Sequence, residues 1–182
     1  MIALVVADTC SFLNFAVVHR VDLLEDLYGD RITCVEAVRR EVLDLCVDRP
    51  ELLSVIRPAW FDDPIVFDGD VDIAAIERLR RTALDGRAAR PRQHLGEAQS
   101  IHALRTLPAL AGAMLLTDDL PAADYARRGG LRVIDSTDVL SEAYERDLVG
   151  CPEAYEVLMA MQAERRGVRV PSTHYLVCPP VA

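Results

Sequence analysis

The sequence predicts an α/β fold of three layers, with helices on both faces of a central parallel sheet. The chain opens on a continuous apolar run, Ile2 to Ala7, ended by Asp8. Unbroken rather than alternating hydrophobicity marks a strand covered on both faces. Residues 113 to 134 compress an apolar strand (Ala113 to Leu116), a turn with Asp118 and Asp119, a helix (Leu120 to Arg128), a Gly129-Gly130 stop and a second strand (Leu131 to Ile134). A strand, helix and strand this close form a βαβ crossover, which makes the two strands parallel. Elsewhere short apolar stretches alternate with helical periodicity, the pattern of an α/β layer architecture. A chain of 182 residues holds one sizeable core. It reads as a single domain over 1–182, with a helical extension from about 150 to the end.

Asp8, Thr9 and Ser11 can cap a helix starting near Ser11, where Phe12, Leu13, Ala16 and Val17 keep a helical spacing. A second short helix carries Leu23, Leu24 and Leu27 and stops at Gly29. Ile32 and Thr33 suit a brief strand. Residues 35–47 read as a helix with Val35, Val38, Val42 and Leu45 on one face and Glu41 near its edge. Prolines at 50, 58 and 64 leave 48–68 irregular, with Trp60 and Phe61 as an anchor and short strands at Val55-Ile56 and Ile65 to Phe67. Asp70 and Asp72 open a helix to about Leu84, with Ile73, Ile76, Leu79 and Ala83 inward. The connection DGRAARPRQH reads as the most exposed and mobile segment. Leu95 to Leu107 is helical up to Pro108, with Glu97 in its first turn. Beyond the βαβ unit, a helix runs from Thr137 to about Val149. Another starts at Pro152, where the missing N–H costs nothing, and stops at Gly167. A last turn spans Ser172 to Val177.

The net charge of -9 argues against a protein that coats nucleic acid by neutralising phosphates. It leaves room for an enzyme that meets nucleic acid through bound cations. There is no lysine, so Schiff-base chemistry is excluded and any phosphate contact falls to the guanidinium fork of arginine. Cysteines 10, 34, 46, 151 and 178 show no CxxC, which points to a reducing cytoplasm and away from zinc or a disulfide framework. No apolar run spans a bilayer, and the N-terminus reads as a buried strand rather than a signal peptide.

Asp8 and the Asp118/Asp119 pair end two parallel strands, where ligands collect in open α/β sheets. Glu97 opens the helix that leads into the second of those strands. Each acid has a plain structural role open to it: Asp8 as an N-cap, Glu41 as a solvated helix acid, Glu97 and Asp119 as complements to helix N-termini. If they converge, their mutual repulsion raises some pKa values unless a cation intervenes. A hard divalent ion with oxygen ligands, Mg²⁺ or Mn²⁺, resolves that conflict and suits phosphodiester hydrolysis.

At these residues the chain resembles the PIN-domain ribonucleases. ALVVADTCSFLNF, ITCVEAVRREVL, LGEAQSIHAL and LLTDDLPAADYARRGGLRVIDSTDVL follow the order and spacing of that family's four acidic motifs. EAYEVLMAMQAERRGVRVPSTHYLV is similar to the C-terminal helix and final turn of the subgroup with a GEA-type third motif. The resemblance implies a metal-dependent endoribonuclease with Asp8, Glu41, Glu97 and Asp118 as its acids. Asp8, Glu97 and Asp118 would hold Mg²⁺ or Mn²⁺, with Asp119, Ser136 and Thr9 accessory. It further implies a VapC-type toxin of a toxin–antitoxin pair, with an RNA substrate, an antitoxin partner and a homodimer. A non-catalytic PIN-like protein-interaction module is the alternative. The chain departs from the pattern at Gln99, where a second Glu is common, at Asp135-Ser136-Thr137 in place of a Gly-Thr step, and in a long region from Pro50 to Arg92. Glu36 competes with Glu41 for the second acid.

Arginines 78, 80, 81, 87, 90 and 92 precede the third acid. They read as a solvated face and loop or as an RNA-backbone clamp, with Arg87, Arg90 and Arg92 as the contacts. His94 is three residues from Glu97 but lacks a second histidine, so it reads as incidental. Cys10 lacks the partners of a nucleophile and reads as packing. A phosphoacceptor role for Asp8 would want a lysine near the phosphate, and the chain has none.

Overall fold

The computed structural model describes residues 4–179. Ile2 and Ala3 of the expected first strand lie outside them. The sheet has strands β1 (Val5–Ala7), β2 (Ile32–Thr33), β3 (Met114–Leu116) and β4 (Arg132–Ile134), in the order β2-β1-β3-β4. All pairings are parallel, with Ala7 beside Leu116 and Leu116 beside Ile134. Every carboxyl end therefore opens on one edge. The amide of Asp8 donates to Leu116 O at 3.0 Å, and that of Thr117 to Ile134 O at 3.0 Å, carrying the ladder one residue past the strands.

The helices are α1 (Thr9–Val17), α2 (Val21–Tyr28), α3 (Glu36–Leu45), α4 (Pro58–Phe61), α5 (Asp70–Ala83), α6 (Leu95–Thr106), α7 (Leu120–Arg128), α8 (Ser136–Glu145) and α9 (Glu153–Ala163). Strand β3 shows why the fold has three layers. Met114 and Leu116 join a core with α1, α2, α8 and α9, while Leu115 joins a second core with Ile76, Leu79, Ile101 and Ala122 of α5, α6 and α7. Side chains alternate across a strand, so both faces of this short apolar run are buried.

The region 50–92 folds more than its prolines suggest. Pro50–Val55 is a 3-10 helix rather than a strand at Val55-Ile56, and Pro58 starts the one-turn α4, because a proline ring suits a first helical position. Ile65 makes only an isolated bridge to Val35. Trp60 and Phe61 are buried, and both rings pack on Phe12. Helix α5 docks on α6 through Ile76 and Leu79, and Asp72 Oδ1 lies 2.7 Å from His102 Nε2. Ile73, expected inward, is half exposed.

Two helix ends also differ. Helix α8 stops at Glu145, and α9 stops at Ala163, short of Gly167. There Arg165 takes a left-handed conformation (φ 58°). The amide of Arg166 donates to Met161 O at 3.1 Å and that of Arg165 to Gln162 O at 2.9 Å. This is a Schellman turn, usually given to glycine. Cys151 and Cys178 are joined by a disulfide, while Cys10, Cys34 and Cys46 are free. The expectation of unpaired cysteines therefore fails for that pair, which folding brings together from 27 positions apart. Among the described residues no helix is long and apolar enough to cross a membrane.

Candidate metal centre

Asp8 sits where β1 meets α1 and serves both elements. Its Oδ1 accepts from the Thr9 amide at 2.7 Å, capping the helix, while Oδ2 accepts from Cys10 Sγ and from Thr117 Oγ1, each at 3.0 Å. The residue is 4% exposed. Burial first, and then the nearby Glu97 charge, push its carboxyl from 3.8 up to about 7. Cys10 is a thiol: burial, Asp8 and Asp118 hold its pKa well above the usual value.

Thr9 Oγ1 donates to Glu41 Oε2 at 2.9 Å and turns that carboxylate inward from the rim of α3. Desolvation and Glu97 raise the pKa of Glu41. Glu36, the alternative second acid, instead pairs with Arg40 at 3.0 Å on the outer face. Gly96 explains how α6 comes so near. A Cβ there would meet Val38 Cγ2 at 2.9 Å, with Asp8 Oδ1 and Glu41 Oε2 at 3.8 and 3.9 Å. The absent side chain lets the start of α6 rest on α3 and sets Glu97 beside both acids. Gln99, one turn on, accepts from the Ala37 amide at 3.0 Å, tying α6 to the first turn of α3.

The adjacent aspartates of the β3–α7 turn point to different places. Asp119 caps α7 by accepting from the Ala122 amide at 2.8 Å. It lines a cleft of about 310 Å³ with Asp8, Thr9, Glu41, Glu97 and Arg166. Asp118 is not among that cleft's lining residues and borders a second one with Thr117, Asp135 and Arg169. Its Oδ2 accepts from Ser136 Oγ (2.6 Å), Asn14 Nδ2 (2.8 Å) and Ser11 Oγ (3.2 Å), and its Oδ1 from the Ser136 amide (3.1 Å). Those donors fill most of the carboxylate's acceptor capacity. Ser136 is buried and reaches the acids only through Asp118. The sequence reading gives Asp118 the ligand place and Asp119 an accessory one; in the structure Asp119 faces the cleft.

Ligand atoms of His94, Glu97 and Asp119 lie within 4.8 Å of one another, and His94 Nδ1 is 3.1 Å from Glu97 Oε1. Folding thus brings His94, incidental in the sequence reading, into the group. The donor set of carboxylates and one imidazole fits a divalent ion.

The arginine run divides. Arg87, Arg90 and Arg92 are exposed on the connection into α6, and Arg92 pairs with Asp44 at 2.9 Å. Arg80 is 1% exposed. Its Nη1 donates to the carbonyls of Arg87, Arg90 and Gln93 at 3.1 to 3.3 Å, and Glu77 holds its other nitrogens at 2.7 Å. The connection expected to be most mobile is gathered around this buried guanidinium. Arg166 has no counterpart in the sequence reading; only the folding of the tail past α9 brings it to the cleft.

A parallel α/β sheet with acids gathered at its carboxyl edge defines a class of protein able to hold a divalent ion there. The family model described as DUF3368, PIN domain, matches residues 4–177, and the chain belongs to the PIN-domain family. No curated protein and no solved structure matches it. PIN domains are generally metal-dependent nucleases, and this chain carries an acidic cluster able to hold an ion.

Proposed function

We propose that the protein is a Mg²⁺- or Mn²⁺-dependent endoribonuclease and the toxin of a toxin–antitoxin pair. The observation that carries the nuclease reading is the convergence of Asp8, Glu41, Glu97 and Asp119 on one cleft at the carboxyl edge of the sheet. The toxin role and the antitoxin partner rest on the likeness of the four acidic motifs to toxins of this family.

Asp8, Glu97 and Asp119 would hold the ion, with His94 as a nitrogen donor that favours Mn²⁺. A bound divalent ion supplies an attacking water of lowered pKa and stabilises charge on the phosphate. Glu41, whose carboxylate accepts from Thr9, would orient that water. Asp8 can take up a proton near neutral pH while the cation is absent and release it when one arrives. Asp118 would act through Asn14 and Ser136, which bond its carboxylate.

The test is cleavage of a labelled single-stranded RNA with Mg²⁺ or Mn²⁺, alongside calorimetric Mn²⁺ titration. Asp8→Asn and Asp119→Asn are expected to lower cleavage by at least about 100-fold, the scale on which one electrostatic catalytic group acts, and to weaken Mn²⁺ binding. Asp118→Asn is expected to keep Mn²⁺ binding and lose part of the rate. A wild-type protein that neither cleaves RNA nor binds Mn²⁺ through these acids would favour the protein-interaction module.

A further inference from the structure

Arg166 is the cation among the residues lining the acid cleft, and it pairs with none of the acids. Among the described residues it has no ion pair, and its side chain's hydrogen bond runs from Nε to Asn14 Oδ1 at 2.8 Å. A guanidinium serving as a counter-ion would turn its fork onto a carboxylate, as Arg80 does to Glu77 and Arg169 to Asp135. Arg166 is instead held at its inner nitrogen by a neutral amide, and among the described residues neither terminal nitrogen has a protein partner.

That placement is built by several elements. The Schellman turn at Arg165 reverses the chain after α9 and delivers residue 166 to the sheet edge. Arg169 fastens the next residues through Asp135 at 2.9 Å and Asp138 at 3.2 Å, and Thr137 Oγ1 donates to Arg169 O. Asn14 is itself oriented, since its Nδ2 donates to Asp118 Oδ2 at 2.8 Å and Ser136 Oγ at 3.3 Å. With the amide nitrogen committed there, its oxygen faces Arg166. Asp118 thus stands at the far end of a hydrogen-bonded chain that fixes the arginine.

A guanidinium held at its inner nitrogen, in a cleft lined by acids that can hold a metal, suits an anion that the protein does not itself contain. We infer that Arg166 is the phosphate-binding residue of the cleft, taking non-bridging oxygens of the RNA phosphate through its terminal nitrogens. Asn14 and Asp118 are its positioning residues. The inference rests on the nuclease reading and deepens it. In a chain without lysine, only arginine can make this contact at neutral pH without a proton change.

The experiment compares wild type with Arg166→Gln, Arg166→Lys and, as a charge control on the exposed neighbour, Arg165→Gln. Anisotropy of a fluorescein-labelled single-stranded RNA is read in Ca²⁺, a hard ion that takes carboxylate oxygens, over a range of salt and on RNA shown to remain intact. Arg166→Gln is expected to weaken binding roughly 10- to 100-fold, the worth of a charge-assisted hydrogen bond. The slope of log K against log salt should fall by about 0.7, one phosphate contact on a single strand. Arg166→Lys should recover part of the affinity, and Arg165→Gln should match wild type. Calorimetric Mn²⁺ binding should be kept in every variant and be equal or tighter in Arg166→Gln, because a positive charge beside the acids is removed. Folded Arg166→Gln with wild-type RNA affinity and salt slope overturns the inference, and so does faster cleavage, which would make Arg166 an internal counter-ion. A wild type that binds RNA through Arg166 but cleaves none defeats the nuclease reading alone. A wild type that cleaves with metal, matched by Arg166→Gln, defeats the inference alone.

Discussion

Asp8 caps a helix and faces a cluster of acids, and the two roles pull its ionisation in opposite directions. The Thr9 amide, Cys10 and Thr117 favour the carboxylate; burial and Glu97 oppose it and win, raising the pKa from 3.8 to about 7. The folded, metal-free protein therefore binds more protons than the unfolded chain between about pH 4 and 7. This contribution is fully present below the unfolded value and is lost as pH rises through about 7. At pH 8 the charged Asp8 costs on the order of 4 kcal/mol. Asp8→Asn keeps the Thr9 contact through its oxygen, and the Thr117 hydroxyl can turn to accept from its amide. Without metal at pH 8, the variant is expected to melt roughly 5 °C or more above wild type. With saturating Mn²⁺ the order should reverse, because the ion stabilises only a folded state that retains its ligands. Equal melting points at pH 8 in chelator would mean that Asp8 is not held under this repulsion. The same turn chemistry limits what the sequence could say. Asp118 and Asp119 are adjacent on a turn, where neither the strand period of two nor the helix period of 3.6 fixes direction. Only folding decides which one Asn14 and Ser136 claim.

At the scale of elements, the site depends on how closely α6 approaches α3, and Gly96 sets that distance. In an open helix Gly→Ala would stabilise by about 1 kcal/mol. Here the new Cβ lies 2.9 Å from Cγ2 of Val38, which is buried, β-branched and held in a narrow rotamer range. Gly96→Ala is expected to cost about 1–3 kcal/mol by overpacking. By moving Glu97 away from Asp8 and Glu41, it should also weaken calorimetric Mn²⁺ binding and lower RNA cleavage. A more stable variant with unchanged Mn²⁺ affinity would show that the helices have room to spare. Much of this architecture was legible beforehand. The βαβ unit was readable because its strands are continuous apolar runs and its helix, Leu120 to Arg128, ends on the Gly129-Gly130 stop. The first three acids could be picked out because each sits at a strand end, in a first helical turn or at a helix edge. The region from Pro50 to Phe67 was misread because its prolines start short helices instead of interrupting strands. The Arg80 hub was hidden because one arginine in a run looks like the next until burial separates them.

At the scale of the molecule, the chain closes on itself through its tail. After α9, residues 164–179 cross back over the carboxyl edge of the sheet, where Val168 and Val177 are buried in the main core. Tyr155 donates to Pro171 O at 3.0 Å and Tyr144 to Pro179 O at 3.1 Å, and the Cys151–Cys178 disulfide ties the end to the start of α9. Arg169 bonds Asp135, which is 7% exposed and already occupied in the capping box that starts α8. One pair therefore joins the tail to the helix following β4. Arg169→Ala would leave Asp135 with its capping contacts but without its cation. Because the guanidinium is half exposed, solvent screens the loss, and about 1–2 kcal/mol is expected rather than the larger cost of a fully buried pair. For a chain of this length that is a drop of roughly 2–8 °C in melting temperature. Mn²⁺ affinity should not change, because no cleft acid moves. RNA affinity should fall by less than in Arg166→Gln, because the anchor loosens while the fork remains. If Arg169→Ala melts with wild type and binds RNA as tightly, the tail is held without this pair, and the route from Asp135 to Arg166 carries no load.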